Sequence, residues 1–136
     1  MAGYSATPLV NKLGYKAGFR VHVYRAPEQY FNLLGELPAD ICFSQRLVTD
    51  LDLVHLFVTS RTDLSRRLNN TLKYIKANGA IWVSWPKKSS RVTTDITEDV
   101  IRSVALPLGL VDIKVCAVDE VWSGLKLVIR KQLRNQ

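Results

Sequence analysis

The side chains able to do chemistry are few: two histidines, His22 and His55, two cysteines, Cys42 and Cys116, and a surplus of basic residues. Metal ligation needs several donors at set spacing, and no His-Glu-x-x-His or Cys-x-x-Cys occurs. There is no phosphate-binding glycine motif, and no serine sits in a nucleophile turn. His22 and His55 fall in segments that read as neighbouring strands, so a paired-histidine site is conceivable. The plainer reading is two core histidines, each with one ring nitrogen satisfied. The cysteines lie in apolar strand-like segments and read as free buried thiols acting as small hydrophobes. A disulfide needs Cα atoms within about 7 Å, and the expected topology puts the two on opposite sides of the sheet.

Nineteen Lys and Arg against twelve Asp and Glu give a formal net charge of +7. That balance favours an anionic small molecule, nucleic acid or an acidic protein as partner. An ordinary positive surface is the alternative. Arg25, Arg61, Lys87, Lys88 and Arg91 are the basic residues that the expected topology gathers at one edge, beside Trp85 and Trp122. Exposed indoles next to cations would stack a nucleobase or anchor a protein. The same indoles would otherwise pack the loops down, with the cations solvated. Asp119 and Glu120 partly neutralise this rim and are candidates to pair with Lys87 or Arg91.

The elements that must position these groups alternate. Thr7 to Leu13 reads as a short helix, with Thr7-Pro8 as cap and Gly14 as stop. Phe19 to Tyr24 is a strand, and Pro27 opens a helix carrying Tyr30, Phe31, Leu33 and Leu34 and ended by Gly35. Ile41 to Phe43 is a short strand. Asp52 to Val58 is almost continuously apolar, as a parallel strand buried on both faces should be. Ser60 and Asp63 cap a helix with Leu64, Leu68, Leu72 and Ile75 at helical spacing, ended by Gly79. Its outer face carries Arg66, Arg67, Lys73 and Lys76. Ala80 to Trp85 is a strand stopped by Pro86, and a polar loop, Lys87 to Arg91, follows. The last helix runs from about Ile96 to Leu106, with Asp95 and Glu98 as its cap signature. Val111 to Val118 and Leu125 to Arg130 alternate as a hairpin covered on one side, joined by Asp119 to Gly124. Val111, Ile113, Val115 and Ala117 share one face, opposite Asp112, Lys114 and Cys116.

That order resembles the core of a class I S-adenosylmethionine-dependent methyltransferase over about residues 15 to 131, with Asn78 to Ser84 similar to the glycine-then-strand segment after the fourth helix. The resemblance implies an α/β, Rossmann-like three-layer fold. Its mostly parallel six-stranded sheet would run in order 2-1-4-5-7-6, lack the third strand and close with a C-terminal antiparallel hairpin. The segments Gly3-Tyr4-Ser5, Thr7-Pro8-Leu9, Lys12-Leu13-Gly14, Trp82 to Lys88 and Trp122 to Val128 further resemble the bacterial family known as domain of unknown function 3052. That name implies no activity.

In such sheets a ligand sits at the C-terminal strand ends, where strand order reverses. The first turn of those enzymes is glycine-rich, and their second strand commonly ends on an acid. Here the turn reads Tyr24-Arg25-Ala26-Pro27-Glu28 and the second strand ends near Phe43-Ser44-Gln45, so no cofactor is predicted and S-adenosylmethionine is not expected. Helix N-termini near Pro27, Thr62 and Ile96 point at the same edge and would favour anions. The resulting expectation is a non-catalytic binding module, one domain over residues 1–136. Its alternatives are a divergent enzyme that binds S-adenosylmethionine or a nucleotide, and a structural protein that self-associates through Val128, Val118 and Cys116 of the hairpin. The start lacks a basic and apolar leader and no apolar run approaches about 18 residues, so cytoplasm, without a membrane, is the expected compartment.

Overall fold

The computed structural model describes residues 7–134; Met1 to Ala6, and with them Gly3-Tyr4-Ser5, lie outside the described residues. The chain runs α1 (Leu9–Leu13), β1 (Arg20–Tyr24), α2 (Tyr30–Leu34), β2 (Cys42–Ser44), β3 (Leu51–Phe57), α3 (Arg61–Thr71), β4 (Ile75–Pro86), α4 (Glu98–Ala105), β5 (Leu110–Ala117) and β6 (Trp122–Ile129). The six strands form one sheet in the order β2-β1-β3-β4-β6-β5. Counted with a missing third strand, that is the expected 2-1-4-5-7-6. β1 to β4 pair in parallel, and β6 is antiparallel to both β4 and β5.

Alternation along the parallel strands divides the core in two. Val54, Leu56, Ile81, Val83, Leu125 and Leu127 face Leu64 and Leu68 of α3 and Ile101 and Ala105 of α4. Val21, Leu53, Phe57 and Trp82 face Leu9, Val10 and Leu13 of α1 and Tyr30 and Leu34 of α2. The molecule is therefore an α/β three-layer sandwich. Buried Trp82 anchors the α1 layer by donating its Nε1–H to the Leu13 carbonyl at 2.8 Å.

Several boundaries differ from the sequence reading. Pro8, not Thr7, occupies the N-cap position of α1, while Gly14 stops the helix in the left-handed region at φ 82°. α3 ends at Thr71, and Ile75 is the first residue of β4. The helical spacing of Ile75 is overridden because Asn69, Asn70 and Thr71 are weak helix formers. Ile75 pairs with Leu51, but Ala80 pairs with Leu53, so the strand bulges over Lys76 to Gly79. Gly79 thus lies in a strand and does not stop a helix. Lys76 lies in β4 and bridges Asp52 at 3.0 Å, not on the outer helix face that the helical spacing predicts. Arg67 also leaves that outer face, since its guanidinium lies 4.1 Å from the Tyr24 ring centre.

The hairpin departs further. β6 begins at Trp122, which pairs with Pro86 rather than lying in the turn. A bulge between Asp112 and Lys114 shifts the β5 register, so Ile113 and Val115 end 57% and 51% exposed. Val118 and Val128 are buried, and Cys116 is half-buried. The face expected to be open for self-association is therefore closed at those residues. Cys42 is exposed on edge strand β2, and Cys116 lies on the opposite edge strand β5. The buried-thiol reading fails for Cys42 because a three-residue edge strand leaves its side chain uncovered.

Candidate functional site

Parallel pairing puts the C-terminal ends of β1, β3 and β4 on one edge, so Arg25, Arg61 and Lys87 emerge there together. Arg25 is exposed, sits at φ 54° and lies 5.3 Å from the Tyr24 ring centre. The Tyr24 hydroxyl is 3.3 Å from both Asp63 oxygens, and Asp63 bridges Arg67 at 3.5 Å. The end of β1 is therefore tied to the first turn of α3 by the chain's own side chains.

The N–H donors expected to hold an anion at the helix starts are largely satisfied internally. Ser60 Oγ accepts the Asp63 N–H at 3.1 Å, and an Asp95 oxygen accepts the Arg61 N–H at 2.7 Å. Thr97, not Asp95, caps α4 by accepting the Val100 N–H at 3.2 Å, with Glu98 and Asp99 in the first turn. α2 has five residues, too few for an appreciable dipole.

Lys87 Nζ donates to the Asp119 carbonyl at 2.6 Å, so it pairs with backbone rather than with a carboxylate. The buried Asp119 carboxylate accepts from the Val121 and Trp122 N–H groups and from Gln29 Nε2. Lys88 and Arg91 are exposed on the single-turn helix that follows β4. The tryptophans do not form a shared platform. Trp85 is buried among the α3 and α4 side chains, while half-buried Trp122 meets Phe57 edge-on at 5.1 Å across the opposite face. Of the expected site, Arg25, Arg61, Lys88 and Arg91 present cations to solvent; Trp85, Trp122 and Lys87 hold the loops.

The histidines do not pair. His22 is the register partner of Val54, and His55 that of Val23, so the two rings point to opposite faces. His22 Nδ1 contacts the Ser44 carbonyl at 2.9 Å. His55 is fully buried between Tyr30, 2.9 Å from Nδ1, and Ser84, 2.7 Å from Nε2. Tyr15 extends the chain, 2.8 Å from the Tyr30 hydroxyl. Burial holds His55 neutral, pushing its pKa down to about 3, and raises both tyrosines. The order Tyr-His-Ser resembles a nucleophile relay, yet fully buried Ser84 has no path for a substrate. This network is core structure. The sequence hides it because Tyr15, Tyr30 and Ser84 come from the loop after α1, from α2 and from β4.

At the opposite, N-terminal edge, Gly18, Arg20, Asp50, Asp52 and Lys76 line an open cavity of about 230 Å³. Lys76 bridges Asp52 there at 3.0 Å, Asp52 also accepts the Arg20 backbone N–H at 2.8 Å, and the Arg20 guanidinium donates to the Thr49 carbonyl at 3.1 Å. No group of three or more His, Cys, Asp or Glu suited to a metal ion occurs among the described residues.

The fold is that of class I methyltransferases. A putative type 11 methyltransferase from Sulfolobus solfataricus superposes with a TM-score of 0.63 at 13% identity, covering 90% of each chain. Fibrillarin from Aeropyrum pernix, solved with natively bound S-adenosyl-L-methionine, gives 0.56 at 13% identity over 93% of this chain and 70% of its own. A ribosomal protein L11 methylase from Lactobacillus delbrueckii subsp. bulgaricus gives 0.55 at 10% identity, over 89% and 74%. No family model and no curated protein sequence matches the chain. The turn after β1 tests the cofactor's fit. Tyr24-Arg25-Ala26-Pro27 brings side chains where glycine backbone would approach it, and Pro27 removes one N–H. β2 ends at Ser44, whose hydroxyl donates to the Arg46 carbonyl, with no acid beside it for ribose hydroxyls. The turn after β1 thus holds no glycine and the end of β2 no acid, and what the three likenesses establish is a methyltransferase-type fold.

Proposed function

We propose that this chain is a non-catalytic binding or regulatory module on a methyltransferase-like scaffold, taking an anionic ligand or partner at its C-terminal rim. The observation carrying the reading is the end of β1, where Tyr24 is held on Asp63 and stacked by Arg67, followed by a turn, Arg25-Ala26-Pro27-Glu28, that has no glycine. Exposed Arg25, Arg61, Lys88 and Arg91 are the cations offered to an anion, with Lys87, Trp85 and Trp122 supporting their loops. The sequence segments around Lys12-Leu13-Gly14, Trp82 to Lys88 and Trp122 to Val128 support membership of domain of unknown function 3052, as a single cytoplasmic domain. No described helix is long and apolar enough to cross a membrane.

Differential scanning fluorimetry with nucleotides, phosphate esters and short nucleic acids tests the rim. A rise in melting temperature that Arg25→Glu with Arg91→Glu removes supports it, and no shift with any probe overturns it. A second reading, a divergent enzyme binding S-adenosylmethionine in an altered way, is favoured by the fold's neighbours. Calorimetry with S-adenosylmethionine and S-adenosylhomocysteine separates the two, since no heat with millimolar ligand ends the enzyme reading. Self-association would use the β5 edge, where Ile113 and Val115 are exposed, and light scattering showing only monomer counts against it.

A further inference from the structure

Away from that rim, basic side chains converge where the C-terminal end of α1 meets the hairpin. Lys114 of β5 and Lys126 of β6 are register partners and project from the same face of the sheet. Lys126 Nζ reaches back over Gly14, 3.6 Å from where a Cβ on that glycine would stand. Lys12 Nζ touches the Ala117 carbonyl at 3.4 Å, and Lys114 Nζ touches the Lys12 carbonyl at 3.4 Å. Among the described residues, none of these lysines, nor nearby Lys16, is in an ion pair. Among the described residues, half-buried Lys126 has no side-chain hydrogen-bond partner.

We propose that Lys12, Lys16, Lys114 and Lys126 form a binding site for a phosphate-bearing anion, separate from the C-terminal rim. Like charges crowded without a counter-ion repel one another, and a multivalent anion relieves that repulsion for all of them together. An ammonium has three N–H donors, and the two long contacts to carbonyls leave most of them open. Compact ammonium groups act as point charges toward phosphate, whereas planar carboxylate recognition usually employs arginine, of which this cluster has none. No exposed aromatic ring borders the cluster among the described residues, so a phosphate group rather than a base is recognised. Burial, with the charges of Lys114 and Lys16, lowers the Lys126 pKa, as a crowded cation lacking its anion should show.

Titration calorimetry with sodium tripolyphosphate, at low and high salt, tests the site. Lys126→Gln is expected to weaken binding about tenfold. Arg66→Gln, the same charge change on the exposed surface of α3, should leave it nearly unchanged. Lys12→Gln repeats the test should Lys126→Gln fail to fold. A short single-stranded oligonucleotide forms the second arm. Binding of tripolyphosphate alone assigns a free phosphoanion, and oligonucleotide binding with the same Lys126 dependence assigns a nucleic-acid backbone. No binding by either probe, or equal weakening by Arg66→Gln and Lys126→Gln, overturns the site. Variants at Arg25 and Arg91 should leave this binding unaltered, so failure of the rim proposal is distinguishable from failure of this one.

Discussion

The Asp95 carboxylate accepts the Arg61 backbone N–H at 2.7 Å, so an acid from the loop after β4 closes the first turn of α3. Thr94 fastens the same loop by donating to the Thr59 carbonyl at 2.6 Å. A helix start that would attract an outside anion is thereby partly answered from within.

Asp95→Ala should lower unfolding free energy by about 1 kcal/mol, the usual worth of a helix cap. Asp95→Asn keeps an acceptor oxygen and should retain most of that stability. Urea denaturation of the two variants measures the difference; equal stability of Asp95→Ala and the parent would contradict the cap.

His55 should make the protein acid-sensitive in a defined window. Its folded pKa, about 3, lies below the ordinary histidine value of about 6.5 expected on unfolding. Above that value both states are neutral and His55 adds no pH dependence. Between the two values only the unfolded chain takes up the proton, so stability falls as pH falls, by up to about 1.4 kcal/mol per pH unit. Chemical denaturation from pH 7 to 4, parent against His55→Asn, should show a steeper decline in the parent.

Gly79→Ala is expected to destabilise by about 1–3 kcal/mol through overpacking. The added Cβ would stand 2.5 Å from Ile75 Cγ1 and 3.1 Å from the Leu51 carbonyl oxygen, at the bulge where β4 enters the sheet. A melting temperature equal to the parent's would show that the bulge yields.

Trp85 should behave as a core residue. With Trp82→Phe and Trp122→Phe in place, its fluorescence is expected to be blue-shifted and poorly quenched by acrylamide, given its 8% exposure. Red-shifted, readily quenched emission would return it to the rim.

The fold was legible because its signals are local. The unbroken apolar run of β3, the Ser60 and Asp63 cap and the Gly14 and Gly35 stops each speak within a few residues, and their order alone limits the topology. Boundaries failed where local pattern met a tertiary demand. Ile75 keeps helical spacing with Leu68 and Leu72, but pairing with Leu51 draws it into β4. The shared edge was legible, since parallel strands must bring Arg25, Arg61 and Lys87 to it.

What the sequence by itself determined is this three-layer α/β scaffold and the glycine-poor turn after its first strand, because periodicity, caps and residue types act over short distances. Only the tertiary structure decided that Trp85 and Trp122 pack on opposite faces, that Asp95 meets Arg61, and that Lys12, Lys114 and Lys126 converge. Those relationships join residues tens of positions apart. Their physical basis is strand register and side-chain reach across an open twisted sheet, which no local pattern encodes.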